Sequence, residues 1–267
     1  MFGRCSSAST LYLIVILALT SLDANMASSS ENDSQNRPLT ADDCAEMRLH
    51  KTLRVGSAVD CRRLALVKFS YFGFDGQVHD DGEVVVLDAA ANRVANIFGT
   101  LLKMKFPIQR AQLLNRYDGD DEASMSDNNT SAFNDRPIVG GKRLSIHAYG
   151  LAIDINPRQN PFLKKKNGIL HVSPTNGKNY LNRADVRPGM AEAVVDVFAE
   201  NGFPIWGGDW TNPIDYQHFQ VGRNLAVRLA RASDATAKAI FETGIEQYRR
   251  CRASGKSRKA CTAGPST

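Results

Sequence analysis

Two histidine-bearing segments restrict the folds open to this chain more than any other feature of its sequence. Residues 145–154 read SIHAYGLAID, and residues 215–220 read DYQHFQ. Two imidazoles and one carboxylate are the protein ligands of a zinc site that keeps one tetrahedral position free, which is typical of catalytic rather than structural sites. A fold that uses these residues must bring His147, Asp154 and His218 together, although they lie far apart in the chain.

The local sequence allows this convergence only if the backbone is irregular at two places. Apolar residues alternate over residues 151–155, which predicts a buried strand. In a regular strand His147 would point away from the face that carries Asp154, so we expect one extra residue, a bulge, near Gly150. For the same reason we expect a turn over residues 213–216, before the second histidine.

Further residues close to these segments are candidates for the chemistry. Asp215, three residues before His218, is predicted to be the general base that accepts a proton from a metal-activated water. Ser145 and Asp209 are candidates for orienting the ligands or binding substrate, with ordinary capping as the alternative. Trp206, in the run WGGDW, either lines the cleft or belongs to the core. The other three histidines are predicted to be ordinary surface or core residues: His50, His79 and His171.

The rest of the pattern predicts an α+β fold with an antiparallel sheet flanked by helices, because strands and helices do not alternate regularly. Residues 118–136 are polar and turn-rich, and we predict a solvated loop there. Strands are predicted at residues 65–71 and 83–87, which form a hairpin, and at 108–114, 151–155 and 219–221. Helices are predicted from an N-cap at Asp88 to before Pro107, from near Pro188 to Gly202, and over residues 224–248.

The N-terminal residues predict export. An apolar run of about ten residues follows Arg4, which fits a secretory signal peptide, since a membrane span needs about twenty. An uncleaved anchor is the alternative. No further membrane span is expected after the signal peptide, and no nucleic-acid-binding motif occurs.

Export places the remaining cysteines in an oxidising compartment. We predict the disulfides Cys44–Cys61 and Cys251–Cys261, because each pair closes a short loop, and no C-x-x-C spacing supports a zinc site or a redox motif. The net charge of +5 is concentrated from Arg223 onward, where ten lysines and arginines stand against three acidic residues. This tail is expected either to attract anionic envelope polymers or to be a solvated helix with a frayed end.

Three spaced motifs carry a family resemblance: S-x-H-x-x-G-x-A-x-D, then W-G-G-D-W, then D-x-x-H-F. Together they resemble the D-alanyl-D-alanine carboxypeptidase-like zinc peptidases. That family includes vancomycin-resistance D,D-peptidases and phage L-alanyl-D-glutamate endolysins, and it shares its fold with the Hedgehog signalling domain. The resemblance covers about residues 131–221.

The resemblance implies roles for individual residues. His147, Asp154 and His218 match the ligands of Zn²⁺, and Asp215 matches the acidic general base. Arg136 resembles an upstream arginine that steadies the substrate carbonyl, with Arg143 as the alternative. Asp135 stands where related sequences often have cysteine.

The sequence therefore predicts an exported zinc metallopeptidase of the periplasm or cell envelope. The resemblance implies that its substrate is a peptide bond in peptidoglycan stem peptides, of the D,D-carboxypeptidase or the L-alanyl-D-glutamate endopeptidase type. A non-catalytic, zinc-containing cell-wall binding module is the alternative, and a structural protein without metal is a third possibility. The predicted division is a signal peptide (1–27), a disordered leader with a short cysteine-containing segment (28–63), a zinc peptidase core (64–222), and a helix with a basic tail (223–267).

Overall fold

The computed structural model of the chain describes residues 36–138 and 140–262. The predicted signal peptide, most of the predicted leader and the last five residues lie outside the described residues. In the part of the chain that is described, no helix has both the length and the apolar composition needed to cross a membrane.

The N-terminal sheet has three antiparallel strands, β1 (Asn36–Pro38), β2 (Leu64–Phe72) and β3 (Val78–Leu87), in the order β1-β2-β3. The predicted hairpin is confirmed as the pair β2–β3, and it is longer at both ends than predicted. The predicted leader is wrong in one respect, because its end forms the edge strand β1. Helix α1 (Ala41–Leu49) connects β1 to β2 and begins with a capping box formed by Thr40 and Asp43.

Helix α2 (Ala91–Lys103) covers this sheet with the apolar face that its sequence predicts. Val94, Ile97 and Leu101 are fully buried, and each contributes about 1.5–3 kcal/mol by leaving water. The Phe98 ring stacks on a β2 phenylalanine. The predicted N-cap is wrong: Asp88 begins a 3-10 turn, and its carboxylate accepts a hydrogen bond from the Arg63 guanidinium instead.

The segment between α2 and the first histidine differs from its prediction. Residues 108–114 form no strand and contribute only an isolated bridge between Arg110 and Asn129. The predicted solvated loop contains helix α3 (Asp121–Ser126), and the residues after it are buried. Polar side chains there are paired inside the protein, as when Asn128 donates to Gln159 over 2.8 Å. Hydrogen bonding explains why so polar a stretch can be buried.

Six short strands form two further antiparallel sheets around the histidine segments. They are β4 (Ala152–Asp154), β5 (Phe162–Lys166), β6 (Ile169–Ser173), β7 (Ile205–Trp206), β8 (Ile214–Asp215) and β9 (His218–Gln220). One sheet has the order β4-β9-β7 and the other β6-β5-β8. The α+β class is confirmed, but three small sheets replace the single sheet that was expected. The β5–β6 hairpin was not predicted.

Four helices complete the described fold: α4 (Val195–Glu200), α5 (Arg223–Arg231), α6 (Asp234–Ala253) and α7 (Arg258–Thr262). The single helix predicted over residues 224–248 is wrong, because Ser233 caps a new helix and separates α5 from α6. Both predicted disulfides are confirmed, one tying α1 to the 3-10 turn before β2 and the other tying α6 to α7.

The remaining helical segments are short 3-10 turns. One of them, Ile146–Tyr149, carries His147, and another, Ala191–Val194, precedes α4 in the region where a single helix was predicted. They span Cys61–Arg63, Asp88–Ala90, Leu114–Tyr117, Ile146–Tyr149, Thr175–Tyr180, Ala191–Val194 and Gly207–Asp209.

Candidate metal centre

A 3-10 turn positions the first histidine. His147 lies in the turn Ile146–Tyr149, whose start is capped by the Ser145 hydroxyl accepting from the His147 amide over 3.3 Å. The turn ends at Gly150, which has a left-handed φ of 65°. A β-carbon on Gly150 would lie 2.5 Å from the Leu87 backbone nitrogen, so only glycine fits there. The predicted irregularity at Gly150 is confirmed, but it ends a 3-10 turn and is not a strand bulge.

The other two candidate ligands face each other across a strand pair. Asp154 of β4 and His218 of β9 are direct partners in the antiparallel register, so their side chains share one face of the sheet. The Asp154 Oδ1 and His218 Nδ1 atoms are 2.8 Å apart, and Asp154 Oδ2 lies 3.1 Å from His147 Nε2. One atom from each of the three residues lies within 4.8 Å of the other two, and all three residues are buried.

The outer nitrogen of each imidazole already has an acceptor. His147 Nδ1 lies 2.5 Å from the Ala132 carbonyl oxygen, and His218 Nε2 lies 2.8 Å from Gln220 Oε1. Each outer nitrogen therefore carries a proton that it donates, which leaves the lone pairs of His147 Nε2 and His218 Nδ1 directed at the Asp154 carboxylate. These inner nitrogens are 3.1 Å apart. Three electron-rich atoms at this spacing need a cation between them, and the donor set fits zinc.

In the metal-free protein, a proton on His218 supplies part of the positive charge that the Asp154 carboxylate requires. Burial alone would lower the pKa of His218, but the Asp154 carboxylate outweighs burial and raises it to about 9. Burial alone would raise the pKa of Asp154, and the two histidines reverse that effect, so the pKa lies well below its ordinary value. The buried Asp154 carboxylate is therefore ionised near neutral pH.

Zinc affinity should depend on pH because the metal must displace the proton on His218. We expect the affinity to fall about tenfold for each pH unit below about 9. The stability of the metal-free protein should change in the opposite sense, since the His218–Asp154 ion pair contributes fully below about pH 6.5 and is lost as the pH rises through about 9. Competition with a chromophoric chelator at several pH values, and thermal melts without metal, measure the two effects. A zinc affinity that does not change with pH would contradict this account.

Asp215 lies at the end of β8, and the turn at Tyr216–Gln217 leads from it into β9. The turn predicted over residues 213–216 is thus partly wrong, because Ile214 and Asp215 pair with β5 as a strand. Asp215 Oδ1 is buried, and no described residue donates a hydrogen bond to it. Burial raises the pKa of this carboxyl to about 7, with the positive charge of His218 acting in the opposite direction. A buried oxygen without a partner, beside two histidines, suits a proton acceptor.

The two arginine candidates differ in their surroundings. Arg136 is partly buried, and its Nη2 donates to Asp121 Oδ2 over 2.6 Å. Arg143 is exposed and lies in the loop that the backbone bridge between Pro137 and Leu144 closes. The neighbouring Asp135 is buried and is held by the Arg54 side chain, Nη2 to Oδ1, over 2.8 Å.

The WGGDW run lies behind the site and along its edge. Trp206 is mostly buried, and its Nε1 donates to the Tyr216 carbonyl oxygen over 2.8 Å, so it is part of the core. Asp209 accepts from Arg258 and Lys259 of α7. Trp210 is the tryptophan that borders the site, with its ring centroid 5.5 Å from that of His218.

A cavity of about 590 Å³ adjoins the candidate ligands. Asp154, His147, His218, Asp215, Arg136 and Ser145 all line it, whereas Asp209 and Trp206 do not. Gln220, Lys164 and Arg223 are among the polar lining residues that sequence reasoning missed. Gln220 carried a usable signal, because it stands two residues after His218 in a strand and so shares its face.

The remaining histidines lie elsewhere. His50 contacts Asp118, His79 contacts Asp75, and His171 lies on β6. Among the described residues, the group of His147, Asp154 and His218 is the one that could hold a metal ion.

Residues 139–221 match the family model described as D-alanyl-D-alanine carboxypeptidase. The matched segment contains the three candidate metal ligands and Asp215, and it ends one residue after Gln220. The resemblance inferred from the three motifs is therefore confirmed for this segment. No curated protein and no solved structure matches the chain.

Proposed function

We propose that this chain, which carries a segment of that peptidase family, is a zinc-dependent metallopeptidase that hydrolyses a peptide bond in peptidoglycan stem peptides. One observation carries the proposal. Two inner imidazole nitrogens and the Asp154 carboxylate converge inside the protein while both outer imidazole nitrogens donate to fixed acceptors. This arrangement supports a three-ligand zinc site at the wall of a cavity large enough for a short peptide.

His147, Asp154 and His218 would hold the zinc, which when bound lowers the pKa of a water molecule and polarises the scissile carbonyl. Asp215 accepts the proton from that water and passes it to the leaving amine. It must be ionised to do so, and because its pKa is raised to about 7 in the metal-free protein, its basic form increases with pH through the neutral range. A bound dication would bring that pKa down again and so favour the ionised form.

Arg136 is proposed to offset the negative charge that develops on the scissile carbonyl oxygen. Its guanidinium lines the same cavity as the metal ligands, and the contact with Asp121 keeps it in place. Ser145 supports His147 through the capping bond. Trp210 lines the same cavity, with its ring centroid 5.5 Å from that of His218, and is proposed to limit the access of bulk water to that ligand.

We further propose that the protein is exported to the periplasm or cell envelope, where peptidoglycan lies. Two disulfides support an oxidising compartment. The peptidase core is proposed to extend over residues 64–222, beyond the matched segment, because the Leu87 amide donates to the Gly150 carbonyl oxygen and so ties the N-terminal sheet to the histidine turn. The basic C-terminal part is proposed to contact anionic envelope polymers.

Digestion of purified peptidoglycan tests the proposal. The protein is incubated with peptidoglycan in the presence of zinc, and the fragments are analysed by mass spectrometry. We expect new peptide termini, which disappear when a chelator is added and return when zinc is restored. Intact peptidoglycan in the presence of stoichiometrically bound zinc would contradict the proposal and favour a non-catalytic binding module.

A further inference from the structure

Two cations that line the cavity have no acidic partner in the described part of the chain. Arg136 is paired with Asp121, whereas Lys164 of β5 and Arg223, the first residue of α5, form no ion pair within residues 36–138 and 140–262. Arg223 is partly buried. A half-buried guanidinium loses part of its hydration, and in the described structure no carboxylate compensates for that loss, so the arrangement is unfavourable.

A third cation makes this arrangement less favourable still. Arg143 lies close enough to Arg223 that its charge acts on the guanidinium. Burial in the first place, and the charge of Arg143 in the second, lower the pKa of Arg223 below its ordinary value. Like charges held side by side without a counter-charge destabilise a folded protein unless an anion binds between them.

Lys164 of β5 lines the same cavity and lies close to the loop that carries Arg143. A β-carbon placed on Gly140 would lie 3.5 Å from Lys164 Nζ, so this ammonium group lies over the loop that also carries Arg143. Four carboxylates line the cavity, and none of them forms an ion pair with Lys164 or Arg223. Asp121 pairs with Arg136, Glu122 accepts from the Ser173 hydroxyl, Asp154 pairs with the two histidines, and Asp215 lies beside them. The two cations can therefore bind an anion from outside the protein.

We propose that Lys164 and Arg223 form a subsite that binds a free carboxylate of the substrate, and that this contact decides which peptides are cleaved. The proposal rests on the proposed peptidase function. A guanidinium matches a carboxylate with two parallel hydrogen bonds, and an ammonium adds a point charge. A stem peptide offers this group in two ways, as the terminal carboxylate of D-alanine or as a carboxylate of D-glutamate after an L-alanyl bond.

Equilibrium binding tests the subsite independently of turnover. Zinc-loaded Asp215→Asn protein, which should bind peptides without cleaving them, is titrated by calorimetry with two peptide pairs. One pair ends in D-Ala-D-Ala with a free or an amidated terminus, and the other contains L-Ala-D-Glu or L-Ala-D-Gln with its remaining carboxylates amidated. We expect the carboxylate form of one pair to bind about tenfold more tightly than its amide, and the responding pair identifies the source of the carboxylate.

Adding Arg223→Gln to this protein should remove most of that tenfold preference, and adding Lys164→Met should reduce it. Arg228→Gln is the matched control, because it removes the same charge from an exposed position on the same helix. In wild-type enzyme that cleaves one of the peptides, Arg223→Gln should raise KM far more than it lowers kcat. Circular dichroism confirms that each variant is folded.

The outcomes separate the two proposals. If binding prefers the carboxylate and depends on Arg223, but the wild-type protein cleaves none of the peptides, the proposed peptidase function is contradicted and the proposed subsite is supported. If the peptides are cleaved, but neither the wild-type nor the Arg223→Gln enzyme distinguishes the carboxylate form from the amide form, the proposed subsite is contradicted and the proposed peptidase function is supported. Failure of all four peptides to bind would also overturn the subsite.

Discussion

Replacing Asp215 with asparagine should abolish peptide hydrolysis while leaving zinc bound. Asparagine has nearly the same shape as aspartate but cannot accept a proton at neutral pH, and loss of a general base lowers kcat by about 10²–10⁴-fold. Asp215 is not one of the three residues whose donor atoms converge, so the metal content should stay at one zinc per chain. Steady-state kinetics on the peptide released from peptidoglycan, with metal analysis of the same sample, measure both quantities.

Asp80→Asn is the matched control for this change. It makes the same chemical substitution at an exposed residue of β3, outside the cavity, and should leave kcat unchanged. At neutral pH and without metal, the Asp215→Asn protein should also be more stable than the wild type, because burial raises the pKa of Asp215 to about 7 and so disfavours the ionised form that the unfolded chain adopts; the difference should vanish as the pH falls below 3.8. Full activity in Asp215→Asn would refute the proposed mechanism.

Replacing His147 with alanine should remove the metal itself. Two ligands would remain, and zinc content after dialysis should fall from about one per chain to nearly none. The wild-type protein should gain about 3–4 kcal/mol of unfolding free energy at a zinc concentration 100–1,000 times Kd, and the variant should gain none. Thermal melts with zinc and with a chelator measure this difference, since the two melting curves should coincide for the variant alone.

His171→Ala serves as the control, because this histidine is exposed on β6 and its side chain does not line the cavity. It should keep both the zinc and the zinc-dependent shift in melting temperature. If His147→Ala retained one tightly bound zinc per chain, the three-ligand site would be wrong. Together, Asp215→Asn and His147→Ala distinguish a residue needed for catalysis from a residue needed to bind the metal.

Local patterns predicted several elements and both disulfides. Helix α2 and the hairpin β2–β3 form from residues close in sequence, so local patterns reveal them. The disulfides were predicted because the cysteines of each pair lie close in sequence, which favours their pairing over the two alternatives. The polar segment after α2 was misread because its burial depends on partners such as Gln159, which are distant in the chain. Likewise, the helix break at Ser233 depends on a cap that competes with an otherwise continuous helical pattern.

The sequence by itself determined the chemistry available at the centre: which residues could hold a metal ion, that an acid stands near the second histidine, and which family these motifs resemble. Residue types and spacings carry that information because ligand preference and proton affinity belong to the side chains themselves. Only the tertiary structure decided how they are used. Cross-strand pairing sets Asp154 against His218, the outer nitrogens find Ala132 and Gln220, and Arg223 comes to lie beside the cavity without an acidic partner in the described chain. These relations depend on through-space distances between segments, and those distances are fixed only when the sheets pack.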